Sequence, residues 1–246
     1  MLKLLMDTSN KEIGIGVFKG NKKLYAAYYR GERRYNMKIL ALVDRALKKT
    51  RKKPGDFDVF GATLGPGSFT GIRVGMSTAK GFAQALNKKF CGAPVLDVMA
   101  QSLIKTRGPV ASKANFTGAA SGLEGNNIYA LLDAGRQEVY YAKCEMRNAK
   151  LKIKLSYKMD KAENVLMKIQ KKKGIAVVLK NDNILVELLK KHSKIESVLL
   201  KHIDMDAFND IIEANKGLVK KSGIDTVLPL YIRKSEAEVK LKKRRK

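Results

Sequence analysis

The sequence predicts an α/β fold made of two similar halves. The first half opens with three apolar runs between residues 2 and 29, followed by alternating helical and strand patterns, and the same order starts again at Tyr129. An aspartate closes the first run of each half. Aligning Asp7 with Asp133 superimposes the next two runs and their turn at one offset of 126 residues, without a gap. This repeated order indicates an internal duplication of a strand–strand–strand–helix–strand–helix (βββαβα) unit.

In the first half, apolar runs bounded by turn residues predict the strands, and apolar positions at i, i+3, i+4 and i+7 predict the helices. Pro54 and Gly55 end the first helix, and the turn Gly65-Pro66-Gly67 precedes the second. Strands are predicted over residues 2–6, 13–18, 24–29, 57–64 and 90–96, and helices over 37–49, from the turn to residue 87, and over 98–105.

Residues 106–127 lack periodicity and are rich in Gly, Ser, Ala and Asn, which predicts a loop or linker at a boundary between two lobes. After it, strands are predicted over residues 129–133, 139–146, 151–157, 175–179 and 198–200, and helices over 161–173, 184–191 and 207–221. The basic tail, residues 240–246, is predicted to be disordered. The predicted domains are an N-terminal lobe over residues 1–105, a C-terminal lobe over 106–227 and a C-terminal segment over 228–246.

The helix that follows Gly67 has an unusual composition for a surface helix. Its polar residues cluster on one narrow face, and Gly71, Gly75, Ala79 and Ala83 form a row of small side chains at every fourth position. Each glycine inside a helix costs about 0.5–1 kcal/mol against alanine, so the row needs an explanation. Close packing inside the chain, contact with a partner and phosphate binding at the helix N-terminus are the candidates. Phosphate binding is disfavoured because the GxGxxG spacing and the P-loop Lys-Ser/Thr pair are both missing.

The chain is strongly basic, with 50 lysine and arginine residues against 23 aspartate and glutamate residues and a formal net charge of +27. So large a positive field favours polyanions, and RNA is the natural candidate. A generally solvated lysine surface explains the charge equally well. One dense cluster follows the first helix and comprises Lys48, Lys49, Arg51, Lys52 and Lys53. Because lysines also suit the negative C-terminal end of a helix, RNA contact and simple solvation both stay open.

Cysteine usage and hydropathy indicate a soluble intracellular protein. Cys91 and Cys144 are far apart and have no metal-ligand spacing, so a reducing compartment is expected. The first apolar stretch meets Asp7 too early for a signal peptide, and no apolar run approaches the ~18 residues of a membrane span. A cytoplasmic location without membrane contact is therefore predicted.

Two βββαβα lobes that close on each other would form a cleft, and the strand-end residues Asp7, Thr8 and Asp133 are predicted to face it. Carboxylates there can hold a divalent metal and a nucleotide phosphate, or each aspartate can cap its own strand-to-turn transition. Residues 180–183 contain no glycine where backbone would approach a nucleotide, and the two histidines, His192 and His202, form no metal-ligand pair. The cleft is therefore predicted to be at most a degenerate nucleotide or metal site.

Four segments resemble, in this order, the TsaB (YeaZ) family of bacterial tRNA threonylcarbamoyladenosine biosynthesis proteins: LLMDTSN, GPGSFTGIRVGMSTAKGFAQAL, LLDAGRQEVYYA and PLYIRKSEAE. The resemblance covers most of residues 1–157 and the region near Tyr231. It implies a two-lobed actin-like ATPase (ribonuclease H-like) fold, in agreement with the duplication. It also implies a non-catalytic paralogue of TsaD, the subunit that carries a metal-binding HxxxH motif and transfers threonylcarbamoyl to the adenosine beside the anticodon. The sequence contains no HxxxH, which favours the TsaB side.

The resemblance implies partners in place of an active site. Chains of this family bind a TsaD-type subunit through helices of the first lobe, and a TsaE-type ATPase joins them. ATP and Mg²⁺ are thus expected to be used by partner subunits, and no cofactor is expected in the isolated chain. The same apolar surface could form a homodimer when the partner is absent, and this possibility stays open, as does tRNA contact. The predicted partner interface comprises Ile39, Leu42, Val43, Ala46, Gly71, Ile72, Gly75 and Ala79.

Three departures from the family pattern argue against nucleotide binding. Tyr35 and Asn36 stand where the family has histidine and serine, residues 180–183 replace a glycine-containing turn, and the loop over residues 106–127 is longer. We therefore expect a non-catalytic activating or scaffold subunit. An active actin-fold ATPase or kinase and a stand-alone tRNA-binding protein are the alternatives. If the small-residue row docks a partner, Gly75→Leu should abolish pairing in a folded chain, whereas an unfolded chain would favour internal packing.

Overall fold

The computed structural model describes residues 1–31, 35–106, 127–147, 150–153 and 157–233. Within these ranges the chain forms twelve strands and six α-helices around two mixed sheets. The predicted loop over residues 106–127 lies, apart from its two end residues, outside the described ranges, and so does the predicted basic tail. Among the described helices, none combines the length and the apolar character that crossing a bilayer requires.

The first lobe is built on a six-stranded sheet. It contains β1 (Leu2–Asp7), β2 (Glu12–Lys19), β3 (Lys22–Arg30), α1 (Tyr35–Thr50), β4 (Val59–Thr63), α2 (Phe69–Ala85), β5 (Lys89–Ala93) and α3 (Val95–Thr106), which are joined late in the chain by β12 (Val219–Lys220). The strand order is β12-β5-β4-β1-β2-β3. β1, β4 and β5 are parallel, whereas β2, β3 and β12 each run antiparallel to a neighbour.

The second lobe repeats this arrangement. It contains β6 (Asn127–Gly135), β7 (Glu138–Arg147), β8 (Lys150–Ile153), β9 (Lys158–Lys161), α4 (Ala162–Lys171), β10 (Ile175–Leu179), α5 (Asn183–Lys191), β11 (Glu196–Leu200) and α6 (Met205–Ala214). Its order, β11-β10-β6-β7-β8, matches β5-β4-β1-β2-β3 of the first sheet. The third strand differs from the single one predicted, because β8 and β9 both pair with β7. The predicted duplication of the βββαβα unit is confirmed.

Helices α3 and α6 lie between the two sheets and join them into one core. That core combines residues of the first sheet, such as Leu5 and Val59, with residues of the second, such as Ile128 and Val177, and with Phe208 of α6. Two further cores lie on the outer faces, where α1 and α2 cover the first sheet and α4 and α5 cover the second. The molecule is therefore layered as helices, sheet, helices, sheet, helices.

The chain returns to the first lobe earlier than predicted. The predicted helix over residues 207–221 ends as α6 at Ala214, because Asn215 accepts a hydrogen bond from the Gly217 N–H (3.2 Å) and opens a short 3₁₀ turn. Val219 and Lys220 then form β12 and pair with β5. The predicted lobe boundary at residue 227 is therefore wrong, because the first sheet already includes residues 219–220.

The polar face of α2 binds the C-terminal segment of the same chain. Gln84 donates to the Asp225 carboxylate (2.8 Å), Lys80 donates to the Val227 carbonyl (2.7 Å) and Arg73 donates to the Tyr231 hydroxyl (2.8 Å). The Tyr231 ring also stacks on Phe69 with centroids 4.7 Å apart. Arg233 then forms an ion pair with Glu138 of the second lobe. Residues 225–233 thus run along α2 and end on the other lobe.

The small-residue row of α2 packs inside the chain. A Cβ atom added at Gly71 would lie 2.0 Å from the carbonyl oxygen of Thr8, and one added at Gly75 would lie 2.3 Å from Thr8 Oγ1. Both distances are far below van der Waals contact. Ala79 and Ala83 continue the row and are fully buried. Glycine is required here because α2 approaches the end of β1 more closely than any side chain would allow.

This packing corrects the predicted partner interface. All eight residues assigned to it are buried in the core between α1, α2 and the first sheet: Ile39, Leu42, Val43, Ala46, Gly71, Ile72, Gly75 and Ala79. A partner cannot contact these side chains while the lobe remains folded, so their assignment to an interface is wrong. Gly75→Leu is accordingly expected to disrupt the fold rather than a pairing. The outward faces of α1 and α2 are what a partner can reach.

We expect Gly71→Ala to destabilise the chain by about 1–3 kcal/mol, the usual cost of overpacking a core. Gly81→Ala on the same helix is the matched control, because a Cβ atom there meets no atom within 4 Å. It should raise stability by about 0.5–1 kcal/mol through the better helix propensity of alanine. Urea unfolding of the two variants measures both changes. A Gly71→Ala chain as stable as the parent would contradict the close packing.

Candidate functional site

A cleft of about 500 Å³ lies between the lobes, at the carboxyl ends of β1, β6 and β10. The first lobe lines it with the turn after β1 and the start of α2, and the second lobe lines it with the ends of β6 and β10 and the start of α5. The lining residues are Ser9, Asn10, Lys11, Gly67, Ser68, Leu132, Asp133, Leu179, Asn181, Asp182, Asn183 and Ile184. The predicted cleft is therefore present, with donors, acceptors and charges on both walls.

Asp7 does not line the cleft, because its carboxylate is buried beneath the turn that follows β1. It accepts hydrogen bonds from the Thr63 hydroxyl (2.6 Å), the Ser9 backbone N–H (3.2 Å) and the Asn10 amide (3.2 Å). Burial raises the pKa of Asp7, and the hydrogen bonds from Thr63 and Ser9 oppose that shift. The carboxylate thus ties the turn after β1 to the end of β4. This is the capping role that the sequence left open beside metal binding.

Thr8 is also buried and faces α2, away from the cleft. Its hydroxyl donates to the Gly71 carbonyl (2.6 Å). Ser9 reinforces the same junction, since its carbonyl accepts from the Ser68 N–H (2.7 Å). Of the three strand-end residues predicted for the cleft, Asp133 alone lines it.

Asp133 is exposed and pairs with a residue that the sequence prediction did not single out. Its carboxylate accepts from the Gly135 N–H (2.8 Å), and its own N–H donates to the Asp182 carboxylate (3.1 Å). Asp182 also caps α5 by accepting from the Leu185 N–H (3.1 Å). Burial raises the pKa of Asp182, and the nearby Asp133 charge adds to that shift. An Asp directly before an apolar helical pattern is an N-cap signal that could have identified this residue.

The acidic pair does not extend to a metal centre in the part of the chain that the structure describes. No group of three or more His, Cys, Asp or Glu residues is placed there to hold a metal ion. Lys11 is the cation on the cleft wall, and its charge lowers the pKa of Asp182 against the effect of burial. The cleft thus presents opposite charges from its two lobes.

Both histidines are engaged outside the cleft. His202 stacks on Tyr28 with ring centroids 3.5 Å apart, and burial lowers its pKa. The Tyr28 hydroxyl accepts from the Met205 N–H (3.2 Å), so this contact joins β3 to the start of α6. His192 Nε2 lies 2.8 Å from a carboxylate oxygen of Glu163 on α4. The two rings serve contacts between secondary-structure elements.

The basic residues predicted for RNA contact lie at the end of α1 and in the connection to β4. Lys48, Lys49, Arg51, Lys52 and Lys53 are all exposed. Lys48, whose side chain is 76% exposed, forms an ion pair with Asp44 one turn earlier (2.7 Å). Exposure is compatible with both alternatives, RNA contact and solvation.

A second buried carboxylate, Asp97, lies in the first turn of α3 where the lobes meet. The Tyr157 hydroxyl of the second lobe lies 2.9 Å from both of its carboxylate oxygens and donates to them. Burial raises the pKa of Asp97 to about 7, and the hydrogen bond from Tyr157 opposes the shift. The Asp97 carboxyl group therefore titrates near neutral pH in the core that the two lobes share.

Comparison with known proteins assigns the chain to a family. Residues 29–241 match the family model described as TsaD, tRNA N6-adenosine threonylcarbamoyltransferase. The chain belongs to this family. A tRNA N6-adenosine threonylcarbamoyltransferase from Kosmotoga olearia is 47% identical over 58 residues, 24% of the chain and 18% of that relative. The tRNA threonylcarbamoyladenosine biosynthesis protein TsaB of Haemophilus influenzae is 25% identical over 139 residues, 56% of the chain and 52% of that relative.

Two solved structures share the fold of the whole chain. YeaZ from Pseudomonas aeruginosa superposes with a TM-score of 0.70 at 18% identity, covering 94% of the chain and 99% of that protein. The activator of 2-hydroxyisocaproyl-CoA dehydratase from Clostridium difficile superposes with a TM-score of 0.50 at 11% identity, covering 92% and 96%. The resemblance to the TsaB (YeaZ) family and the two-lobed actin-like, ribonuclease H-like fold are confirmed. The chain spans about half or less of the length of the two curated relatives named above.

The raised pKa of Asp97 predicts a pH dependence of stability that Asp97→Asn should remove. The folded chain keeps this proton up to about pH 7, whereas the unfolded chain releases it near 3.8, the ordinary pKa of an aspartate. Stability therefore falls as pH rises between these values, by about 2–3 kcal/mol from pH 5 to pH 8. Urea unfolding at pH 5 and pH 8 should show that the free energy of unfolding of Asp97→Asn, relative to that of the parent, is higher at pH 8. A pH-independent difference between the two chains would contradict this assignment.

Proposed function

We propose that the chain serves in tRNA threonylcarbamoyladenosine biosynthesis as a non-catalytic subunit that binds and supports a TsaD-type threonylcarbamoyltransferase. The proposal includes a TsaE-type ATPase as a further subunit, and ATP and Mg²⁺ as ligands of the partners. It rests on the family match over residues 29–241 and on relatives named TsaB and YeaZ. Two features of the structure support it: the internal contacts of the candidate site residues and the outer surface of α2.

The strand-end groups Asp7 and Thr8 favour a non-catalytic role, because hydrogen bonds within the first lobe already use them. The Asp7 carboxylate accepts three hydrogen bonds from its own lobe, and Thr8 is buried against α2. The two histidines stack on Tyr28 and pair with Glu163. These side chains hold loops and helices in place, and using them for metal or phosphate binding would require breaking those contacts.

The proposed partner surface is centred on Gly81. It is exposed in the middle of the last two turns of α2, and a Cβ atom there would meet nothing within 4 Å. The glycines at 71 and 75 are explained by Thr8, whereas no contact inside the described chain explains this one. A helical glycine costs about 0.5–1 kcal/mol, and close approach of a second backbone offsets that cost in helix packing.

The residues around Gly81 form a surface that suits a second helix. Ser77 and Ala85 lie one turn before and one turn after it, and both are exposed. Small residues at i, i+4 and i+8 form a shallow ridge along which another helix can pack closely. Leu40 on the neighbouring α1 is 54% exposed and adds apolar area. The outward row on α2 thus replaces the buried row as the proposed docking surface, for the partner or for a second copy of the chain.

The test is binding of the purified TsaD-type subunit from the same cell. Gly81→Arg should weaken it by about tenfold or more, since a long charged side chain would fill the approach of the second helix. Met167→Arg on α4 is the matched control, because this residue is 54% exposed on the second lobe. Isothermal titration calorimetry measures both affinities, and thermal unfolding checks that both variants fold.

Equal affinities for Gly81→Arg and Met167→Arg would rule out the α2 surface. A parent chain that fails to bind the TsaD-type subunit would overturn the whole proposal. The alternative function, an active ATPase or kinase, is favoured by the size of the cleft and its charged walls. Mg²⁺-dependent ATP turnover by the isolated chain would establish that alternative.

A further inference from the structure

Three basic segments that are distant in sequence lie at the same end of the first lobe, opposite the cleft. Residues 48–53 end α1 and begin the connection to β4, residues 88–89 precede and open β5, and residues 220–221 end β12. All three lie at the edge of the sheet where the parallel strands β4 and β5 begin. The cleft lies at the other edge, where such strands end.

Strand pairing fixes how close these segments are. β12 runs antiparallel to β5 with Lys220 opposite Phe90, which places Lys221 beside Lys89. On the other side, Lys89 is opposite Val59, and its N–H donates to the Asp58 carbonyl (3.1 Å). Adjacent strands are about 4.8 Å apart, so the starts of β4 and β5 and the end of β12 lie within about 10 Å of one another. Residues 48–53 lie at the same end of the lobe, because the connection from α1 leads directly into the start of β4. We name residues 48–53, 88–89 and 220–221 together the lysine surface.

Three carboxylates that lie close in sequence to residues 48–53 of the lysine surface accept from backbone N–H groups or pair with one lysine. Asp58 accepts from the Leu2 N–H (2.7 Å), and Asp56 accepts from the Lys53 N–H (2.8 Å). Asp44 pairs with Lys48 (2.7 Å). The basic side chains at these positions are exposed, except for a half-buried Lys88. The surface therefore has a strong local excess of positive charge.

The fold by itself does not explain this concentration of charge. Lysines at the end of α1 complement the helix dipole, but those at 88–89 and 220–221 lie outside helices. Like charges on neighbouring strands destabilise a sheet, so their juxtaposition costs stability unless an anion lies between them. Protection of the sheet edge does not require four lysines either, because β12 has only two residues and short edge strands already resist pairing.

We propose that the lysine surface binds the phosphate backbone of an RNA. Apart from Arg51, its cations are lysines, which contact phosphates as compact charges and carry no base-reading geometry. Contact would thus be independent of sequence and strongly dependent on salt. The choice of RNA over other polyanions rests on the proposed function in tRNA modification. Lys88 of the lysine surface follows Ala85, the last residue of the outward row of α2, by three positions, so the two proposed contact surfaces adjoin on one chain.

The experiment measures binding of a tRNA transcript by the full chain across a salt series. The test variant replaces the four lysines outside helices: Lys88→Gln, Lys89→Gln, Lys220→Gln and Lys221→Gln. The matched control removes the same charge from four exposed lysines at or just after the C-terminal ends of α4 and α5 in the second lobe: Lys171→Gln, Lys172→Gln, Lys191→Gln and Lys194→Gln. Thermal unfolding checks that both variants fold.

The test variant should lose about tenfold or more in affinity at 100 mM salt, and the slope of log affinity against log salt should become shallower by about 3. The control should keep the parent slope within about 1. Equal losses in both variants would mean a diffuse lysine field and would overturn the proposal. The same holds if the parent chain does not bind the transcript, or prefers phosphatidylserine vesicles to it.

Binding of the TsaD-type subunit by the test variant separates this inference from the proposed function. A variant that keeps the protein partner and loses RNA supports the lysine surface. A parent chain that binds RNA through these lysines without binding the protein partner would leave the surface in place and overturn the scaffold function.

Discussion

The close approach of α2 to the end of β1 is the constraint on which the rest of the first lobe depends. Gly67, Gly71 and Gly75 have no side chain because Thr8 and Ser9 occupy that space, at 2.0–2.3 Å from where each Cβ would lie. The hydrogen bonds from Thr8 Oγ1 to Gly71 and from the Ser68 N–H to Ser9 hold the two elements in this position. The same contact forms one wall of the cleft and determines which side of α2 faces outward. The glycines of the GPGSFTGIRVG segment, which carries the family resemblance, are therefore required for packing inside the chain. The side of α2 that faces away from β1 is the side that a partner could reach.

The two halves share their strand order but differ in how the strand-end aspartates are used. Asp7 is buried and bound by three donors, whereas Asp133 is exposed and adjoins Asp182. The difference follows from what comes next along the chain. In the first lobe the strand end is covered by α2, while in the second lobe α5 begins with its own aspartate cap and leaves Asp133 on the cleft wall. Duplication therefore preserved the topology, and the local packing assigned the matching residues different roles.

The last described residues make the molecule asymmetric. β12 extends the first sheet, residues 225–231 occupy the polar face of α2, and Arg233 reaches Glu138 on the second lobe. The polar stripe of α2 is thereby used inside the chain, and the row of small residues around Gly81 is the part of the helix that we propose as a partner surface. The same return brings residues 220–221 to the base of the first lobe. The return of residues 219–233 to the first lobe therefore covers part of α2 and adds Lys220 and Lys221 to the lysine surface.

The sequence by itself determined the duplicated α/β topology, the cleft and the family. Strand and helix periodicity, the matching aspartates and the GPGSFTG segment are local patterns, and each persists whatever the chain packs against. Tertiary structure alone decided that Ile39, Gly71 and their neighbours are buried, that Asp182 joins Asp133, and that α6 ends at Ala214 so that β12 can pair. These depend on contacts between residues far apart in the chain, and a helical wheel cannot tell a row of glycines packed on its own β1 from one packed on another molecule. For the helix after Gly67, the row of small residues predicted that another backbone packs closely against it. Only the short distances to Thr8 showed that this backbone is the end of β1 in the same chain.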